Sequence, residues 1–128
     1  MDPFSTPGVF SWSELLTADP EGAARFYGAL LGWQFDAAED GERSYRVARV
    51  DDEAVAGIAR AGADMAGLPH GWGSYITVED VDDTADRCEM LGGKVLFGPT
   101  DLGMVGRFAV LQDNQGAVFN VIAYEPPE

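Results

Sequence analysis

The chain is poor in several residues that would each announce a function. It holds one cysteine, Cys88, so no disulfide can close within it, which fits a reducing compartment. It holds one histidine, His70, set in a loop beside Pro69 and Gly71, and one lysine, Lys94. Lysine and arginine together number 8 against 22 acidic residues, a formal net charge of −14. Such a field repels nucleic acid and anionic membrane; it favours cationic partners or substrates and also serves plain solubility. No apolar run approaches the roughly 18 residues of a membrane span. The opening MDPFSTPG has neither the basic region nor the apolar stretch of a signal peptide. The expectation is a cytoplasmic protein with neither a nucleic-acid nor a membrane partner. A glycine-rich phosphate loop is also missing, since Gly92 and Gly93 read as a helix stop.

What is present is a globular composition, 46% hydrophobic and 23% charged over 128 residues, enough for one domain with a core. Its organisation is a repeat. Shifted by 61 residues, Trp12–Arg60 lies over Gly73–Val121 without a gap. The identical pairs are Ser13/Ser74, Asp19/Asp80, Ala24/Ala85, Leu30/Leu91, Gly32/Gly93, Arg46/Arg107, Ala48/Ala109, Asp52/Asp113 and Ala56/Ala117. They are few, but they fall at helix caps, turns and strand positions.

In the first copy, Val9–Thr17 alternates and predicts a strand. Asp19 offers a carboxylate to the free N–H groups of a helix, Pro20 suits its first position, and Gly32 suits its left-handed end. Ala23, Phe26, Tyr27, Leu30 and Leu31 form the apolar stripe expected to be buried. Strands follow at Trp33–Ala38, Ser44–Val50 and Glu53–Arg60, jointed by turns at Glu39–Glu42 and at Asp51 and Asp52. The second copy repeats the order. It has a strand at Trp72–Val78, then a helix capped by Asp80 that buries Val81, Ala85, Cys88 and Leu91. Strands at Lys94–Phe97, Gly106–Gln112 and Ala117–Ala123 follow, with a turn at Asp113–Gly116 and a rim loop at Gly98–Val105. The expected class is α+β. One domain holds two βαβββ units, about 9–60 and 72–123, joined by a linker over 61–71. Together they form a curved eight-stranded mixed sheet, an incomplete barrel with helices outside.

The segments WSELLTAD (Trp12–Asp19) and RFYGALLGW (Arg25–Trp33) resemble the vicinal oxygen chelate superfamily, the group of glyoxalases, bleomycin-resistance proteins and extradiol dioxygenases. LGGKV (Leu91–Val95), GRFAV (Gly106–Val110) and DNQGAVF (Asp113–Phe119) are similar to the second half of the same proteins. The resemblance runs from about Val9 to Tyr124. It implies a fold shared by isomerases, dioxygenases, thiol transferases and drug binders. It also implies homodimers, some formed by exchanging units. Enzymes of the group hold a divalent metal through His, Gln or Glu at four positions, which correspond here to Trp12, Gly73, Asn120 and the neighbourhood of Ala59. Those residues offer no metal set, so neither a metal nor another cofactor is expected.

Strand parity turns Trp12, Glu14 and Leu16 to one face with Gly73, Tyr75 and Thr77, and with Val118, Asn120 and Ile122. Glu14 is the most informative of these, because a carboxylate in an apolar strand needs a partner. One reading pairs it with Arg107 or Arg46. The other gives it to a cationic or hydrogen-donating ligand, or to general-base work. Trp12, Trp33, Tyr45, Trp72 and Tyr75 could stack on a flat or cationic ligand. Arg107 fits either a structural ion pair or the site, and Met104 fits a place over the ligand. The expected function is metal-independent binding of an aromatic or cationic small molecule by Trp12, Glu14, Tyr75, Met104, Arg107 and Asn120. The alternative is a glyoxalase-type lyase, isomerase or dioxygenase, using a divalent metal or Glu14 as base.

Overall fold

Asp19 starts the first helix in the way its carboxylate suggests, accepting the Gly22 N–H at 3.0 Å. Pro20 fills the first turn and Gly32 ends the helix at φ 76°, a left-handed conformation that glycine enters without penalty. Asp80 repeats the device, accepting from the Asp83 N–H at 3.0 Å. The computed structural model describes residues 1–36, 45–65, 67–102 and 105–125. In chain order its elements are β1 (Phe10–Thr17), α1 (Pro20–Leu31), β2 (Gln34–Phe35), β3 (Tyr45–Val50), β4 (Glu53–Arg60), a short 3-10 turn (Ala63–Met65), β5 (Gly71–Thr77), α2 (Val81–Met90), β6 (Lys94–Leu102), β7 (Gly106–Gln112) and β8 (Val118–Tyr124). These are the eight mixed strands and two helices of the expected α+β class, in two βαβββ copies. Among the described residues no helix is long and apolar enough to cross a membrane.

The chain divides into two units, residues 12–73 and residues 1–11 with 74–128. In the unit of residues 12–73 the strand order is β2-β3-β4-β1, with β1 parallel to β4 and the other pairs antiparallel. Asp51 and Asp52, both at positive φ, make the tight turn between β3 and β4. Register separates the two faces of this sheet. Leu15, Ile58 and Arg46 stand abreast, and Arg46 pairs with Glu21 on α1, so theirs is the helix-bearing face. Glu14, Gly57 and Val47 stand abreast on the opposite face, as do Leu16, Ala59 and Tyr45.

In the other unit the order is β5-β8-β7-β6, with β5 parallel to β8. Val81 and Ala85 of α2 pack on Ala109, Leu111 and Val121, flanked by Val95, Phe119 and Ala123. Each fully buried valine or leucine there contributes about 1.5–3 kcal/mol relative to exposure. Tyr75, Thr77, Phe108, Val110, Asn120 and Ile122 alternate onto the helix-free face. The opening segment is tied to this unit, with Gly8 N donating to Thr77 O at 2.8 Å and Thr77 Oγ1 to Pro3 O at 2.6 Å.

Several expectations need correction. The apolar stripe of α1 is not its buried face: Pro20 and Ala24 are buried, whereas Phe26 is 60% exposed and Leu30 64%. On α2, Cys88 is only half-buried and Leu91 is 74% exposed. Both helices dock through small residues, which let the backbone approach the sheet and leave the large side chains at the flanks. The loop expected from Gly98 is largely strand, since β6 runs on to Leu102 with register shifts that absorb Gly98 and Pro99. β2 is shorter than expected. The turn at Glu39–Glu42 and the strand ends at Ala37, Ala38 and Ser44 lie outside the described residues.

Candidate functional site

The helix-free face of the unit of residues 12–73 gathers the chemistry-bearing residues. Trp12, on β1, reaches along the sheet and donates its indole Nε1–H to Tyr45 Oη on β3 at 3.0 Å. The phenol of Tyr45 lies directly over Gly57 of β4, where a Cβ would collide with it and come within 3.1 Å of Trp12 Nε1. A glycine in a strand interior is costly and marks a close approach; here an aromatic pair lies flat on bare backbone. Glu14 stands beside Gly57 in register on that face and is 7% exposed. A buried carboxylate next to two aromatic rings with polar tips can recognise a cation or a hydrogen-bond donor, or can accept a proton.

Arg46 does not share that face. It turns to the helix side, where Glu21 takes its guanidinium, so it is not the partner of Glu14 proposed from sequence. Arg107 occupies the equivalent place in the other unit. Its Nε and Nη2 donate to Asp82 at 2.8 and 3.0 Å, and its Nη1 to Asp101 at 3.1 Å. Of the two readings of Arg107, the structure therefore places it in the ion pair, on the helix-bearing face. The same bonds hold the Asp82 carboxyl below its ordinary range and the guanidinium above its own. Shift the chain by 61 residues and Glu21 falls on Asp82, so the repeat carries one ion pair twice.

On the helix-free face of the other unit, Tyr75 is buried with its ring 6.2 Å from that of Phe108, which lies 5.8 Å from Phe97. Asn120 stands beside Tyr75 in register and donates Nδ2–H to Ser74 O at 3.3 Å. Met104 lies outside the described residues. Trp33 and Trp72 are drawn together elsewhere. They cluster with Tyr27, whose hydroxyl accepts the Trp72 Nε1–H at 3.0 Å, on a partly exposed surface. His70 is exposed. Burial raises the Cys88 thiol above its usual pKa, with Glu89 adding to the shift, so it stays a protonated, unreactive group.

The residues at the four family metal positions do not fit a metal. Trp12, Gly73 and Ala59 carry no donor suited to one, and the amide of Asn120 is turned to a backbone carbonyl. Among the described residues no group of three His, Cys, Asp or Glu converges on a point. Sequence reasoning missed Gly57, although a glycine inside an otherwise regular strand is itself a signal of close approach.

A profile of the Glyoxalase/Bleomycin resistance protein/Dioxygenase superfamily matches residues 10–121. CFP32 of Mycobacterium tuberculosis, provisionally named a glyoxylase, is 39% identical over 122 residues, covering 94% of this chain and 46% of its own. The anthracycline biosynthesis protein DnrV of Streptomyces peucetius is 34% identical over 128 residues, covering 90% of this chain and 46% of its own. The chain thus spans about half the length of these curated relatives. Among solved structures, a methylmalonyl-CoA epimerase of Streptomyces coelicolor, in complex with 2-nitronate-propionyl-CoA, has a TM-score of 0.61 at 18% identity, covering 95% of this chain and 100% of its own. Methylmalonyl-CoA epimerase from M. tuberculosis has a TM-score of 0.60 at 17% identity, covering 93% and 89%. At that identity the likeness is one of fold. The chain belongs to the Glyoxalase/Bleomycin resistance protein/Dioxygenase superfamily.

Proposed function

We propose that this chain binds a flat aromatic or cationic small molecule against Trp12, Glu14 and Tyr45, without a bound metal. The observation that carries the reading is the buried Glu14 carboxylate beside the Trp12–Tyr45 pair on the helix-free face. Aromatic faces attract flat and cationic groups, and a carboxylate of low exposure fixes the position of a positive charge. The net charge of −14 draws cations towards the molecule. The 34% identity to a protein named for anthracycline biosynthesis adds support, because anthracyclines are fused-ring aromatics bearing an amino sugar. Tyr75 and Asn120, on the helix-free face of their own unit, are proposed as ligand-contacting residues too. The reading takes the protein to be a cytoplasmic homodimer.

The test is titration of an anthracycline, followed by its own fluorescence, in the presence of EDTA. Stoichiometric binding that weakens at least about tenfold in Glu14→Gln and in Trp12→Ala is expected. Binding that is lost with EDTA, or is indifferent to both substitutions, refutes it.

The burial of Glu14 supports a second reading, proton abstraction next to a carbonyl. The carboxylate would take the proton while the electron pair passes into the enolate, and would then return a proton from solvent. Its test is deuterium uptake from D2O by methylmalonyl-CoA, with Glu14→Gln abolishing it. No uptake by the wild-type protein retires that reading for this substrate.

A further inference from the structure

The surface of α1 is the feature that neither the sheet faces nor the ion pairs account for. Phe26, Leu30 and Leu31, from the stripe that sequence pattern marks as core, are each more than half exposed. They adjoin a ring cluster in which Tyr27 meets Phe26 at 5.1 Å, Trp33 at 5.7 Å and Trp72 at 5.4 Å. Trp72 is itself 43% exposed. A contiguous apolar patch of this kind marks an interaction surface, whereas scattered exposed leucines do not.

The repeat supplies an internal comparison. At the positions 61 residues on, Phe26 becomes Arg87, Leu31 becomes Gly92 and Trp33 becomes Lys94. α2 carries Asp82, Asp83, Asp86 and Glu89 against Arg87, whereas α1 carries Glu21 and Arg25 alone, and Glu21 is taken by Arg46. One helix has therefore kept an acidic, solvated surface while its counterpart is apolar and close to neutral. In a protein of net charge −14, two copies repel one another over most approaches. The α1 patch is where that repulsion is least and apolar burial is greatest. The length of the relatives points the same way. CFP32 and DnrV each match this chain over 46% of their length, which leaves room in the same polypeptide for a second domain of this size.

We infer that a second copy of this chain docks on the α1 patch, with Phe26 and Leu30 at the centre of the contact and the Tyr27–Trp33–Trp72 cluster at its margin. The surface rests on the homodimer of the preceding section for its occupant. A standard interface buries about 800 Å² on each partner around a few apolar anchors, and large apolar and aromatic side chains on one helix and the adjoining cluster supply such anchors.

The experiment joins sedimentation velocity over a concentration series with hydrogen exchange of the same wild-type protein. A dimer at about 10 μM is expected. Its amides at residues 20–31 should exchange more slowly at concentrations where the dimer fills. Phe26→Asp with Leu30→Asp should weaken association by on the order of a hundredfold, with Met90→Asp on α2 as a control that leaves it unchanged. A dimer whose α1 exchange is independent of concentration overturns the surface and leaves the homodimer standing. A monomer throughout the series overturns both. The exchange readout uses no variant, so it decides the matter even if the double substitution unfolds the chain.

Discussion

Gly57→Ala probes the Trp12–Tyr45 floor with little disturbance elsewhere. The new Cβ would occupy the place of the Tyr45 phenol and approach Trp12 Nε1 at 3.1 Å. The backbone at residue 57 cannot withdraw, because β4 is held between β1 and β3 through the pairs with Glu14 and Val47. The phenol, at the end of a side chain, can swing away. That movement breaks the hydrogen bond from Trp12, costing about 1 kcal/mol, and an off-rotamer Tyr45 adds about 0.5–1.5 kcal/mol. Alanine in place of a strand glycine returns about 0.5–1 kcal/mol. The net destabilisation is then roughly 0.5–2 kcal/mol, a fall in Tm of up to about 8 °C for a chain of this length. Ligand affinity should suffer more, because the stacking surface itself has moved. A loss of at least about tenfold is expected, or about 1.4 kcal/mol. Urea denaturation and anthracycline titration of the same preparation measure both. Affinity within twofold of wild type would refute the claim that ligand rests on this pair. A loss of stability above about 4 kcal/mol would show instead that the phenol cannot turn aside.

The remaining predictions concern the frame. Asp80→Ala removes the acceptor for the Asp83 N–H and should cost about 1 kcal/mol in urea denaturation; no measurable cost would mean that water replaces the cap. Hydrogen bonds from Arg107 hold Asp82 below the ordinary carboxylate range, and the N–H groups of Gln115 and Ala117 do the same for Asp113. A depressed carboxylate contributes stability that is present above its unfolded value, about 3.9, and is lost as pH falls through the folded value. Stability should therefore hold from neutral pH down to about 5 and fall below about 4. The doubly substituted Asp82→Asn, Asp113→Asn protein should show a shallower acid limb, and an unchanged slope would reassign the effect to other carboxylates.

The frame was legible because it is written in local chemistry. Asp19 with Pro20, Asp80 with Thr84, and Gly32 each satisfy or end a helix through bonds within a few residues, so the helix limits fall where the sequence puts them. β4 and β7 likewise begin and end at the predicted residues. What was not legible depends on docking between elements. Periodicity identifies the apolar stripe of α1 but not what it packs against, and the helix meets its sheet through Pro20 and Ala24 instead. The extension of β6 was hidden because Gly98 and Pro99 look like loop residues, and only a partner strand that tolerates register shifts shows otherwise. The partnership of Tyr45 with Trp12 joins residues 33 apart in the chain, beyond the reach of any pattern.

The repeat also sorts structural from functional residues in a way that strand parity alone does not. Features present in both copies maintain the fold: the capping Asp19 and Asp80, and the arginines Arg46 and Arg107, each bound to an acid in the first turn of its own unit's helix. On that ground Arg107 belongs to the frame, and its twin at Arg46 was the sign of it. The positions that differ are of another kind. Trp12 answers to Gly73, Glu14 to Tyr75, Tyr45 to Gly106 and Gly57 to Val118, so all four members of the Trp12–Tyr45 surface lack a counterpart. A duplicated unit that needed these residues only for packing would hold them in both copies, since both copies pack one helix on four strands in the same order. Their presence in one copy places their purpose outside the packing of that unit. The buried carboxylate and the aromatic pair lying on a bare glycine are therefore where a ligand is to be sought.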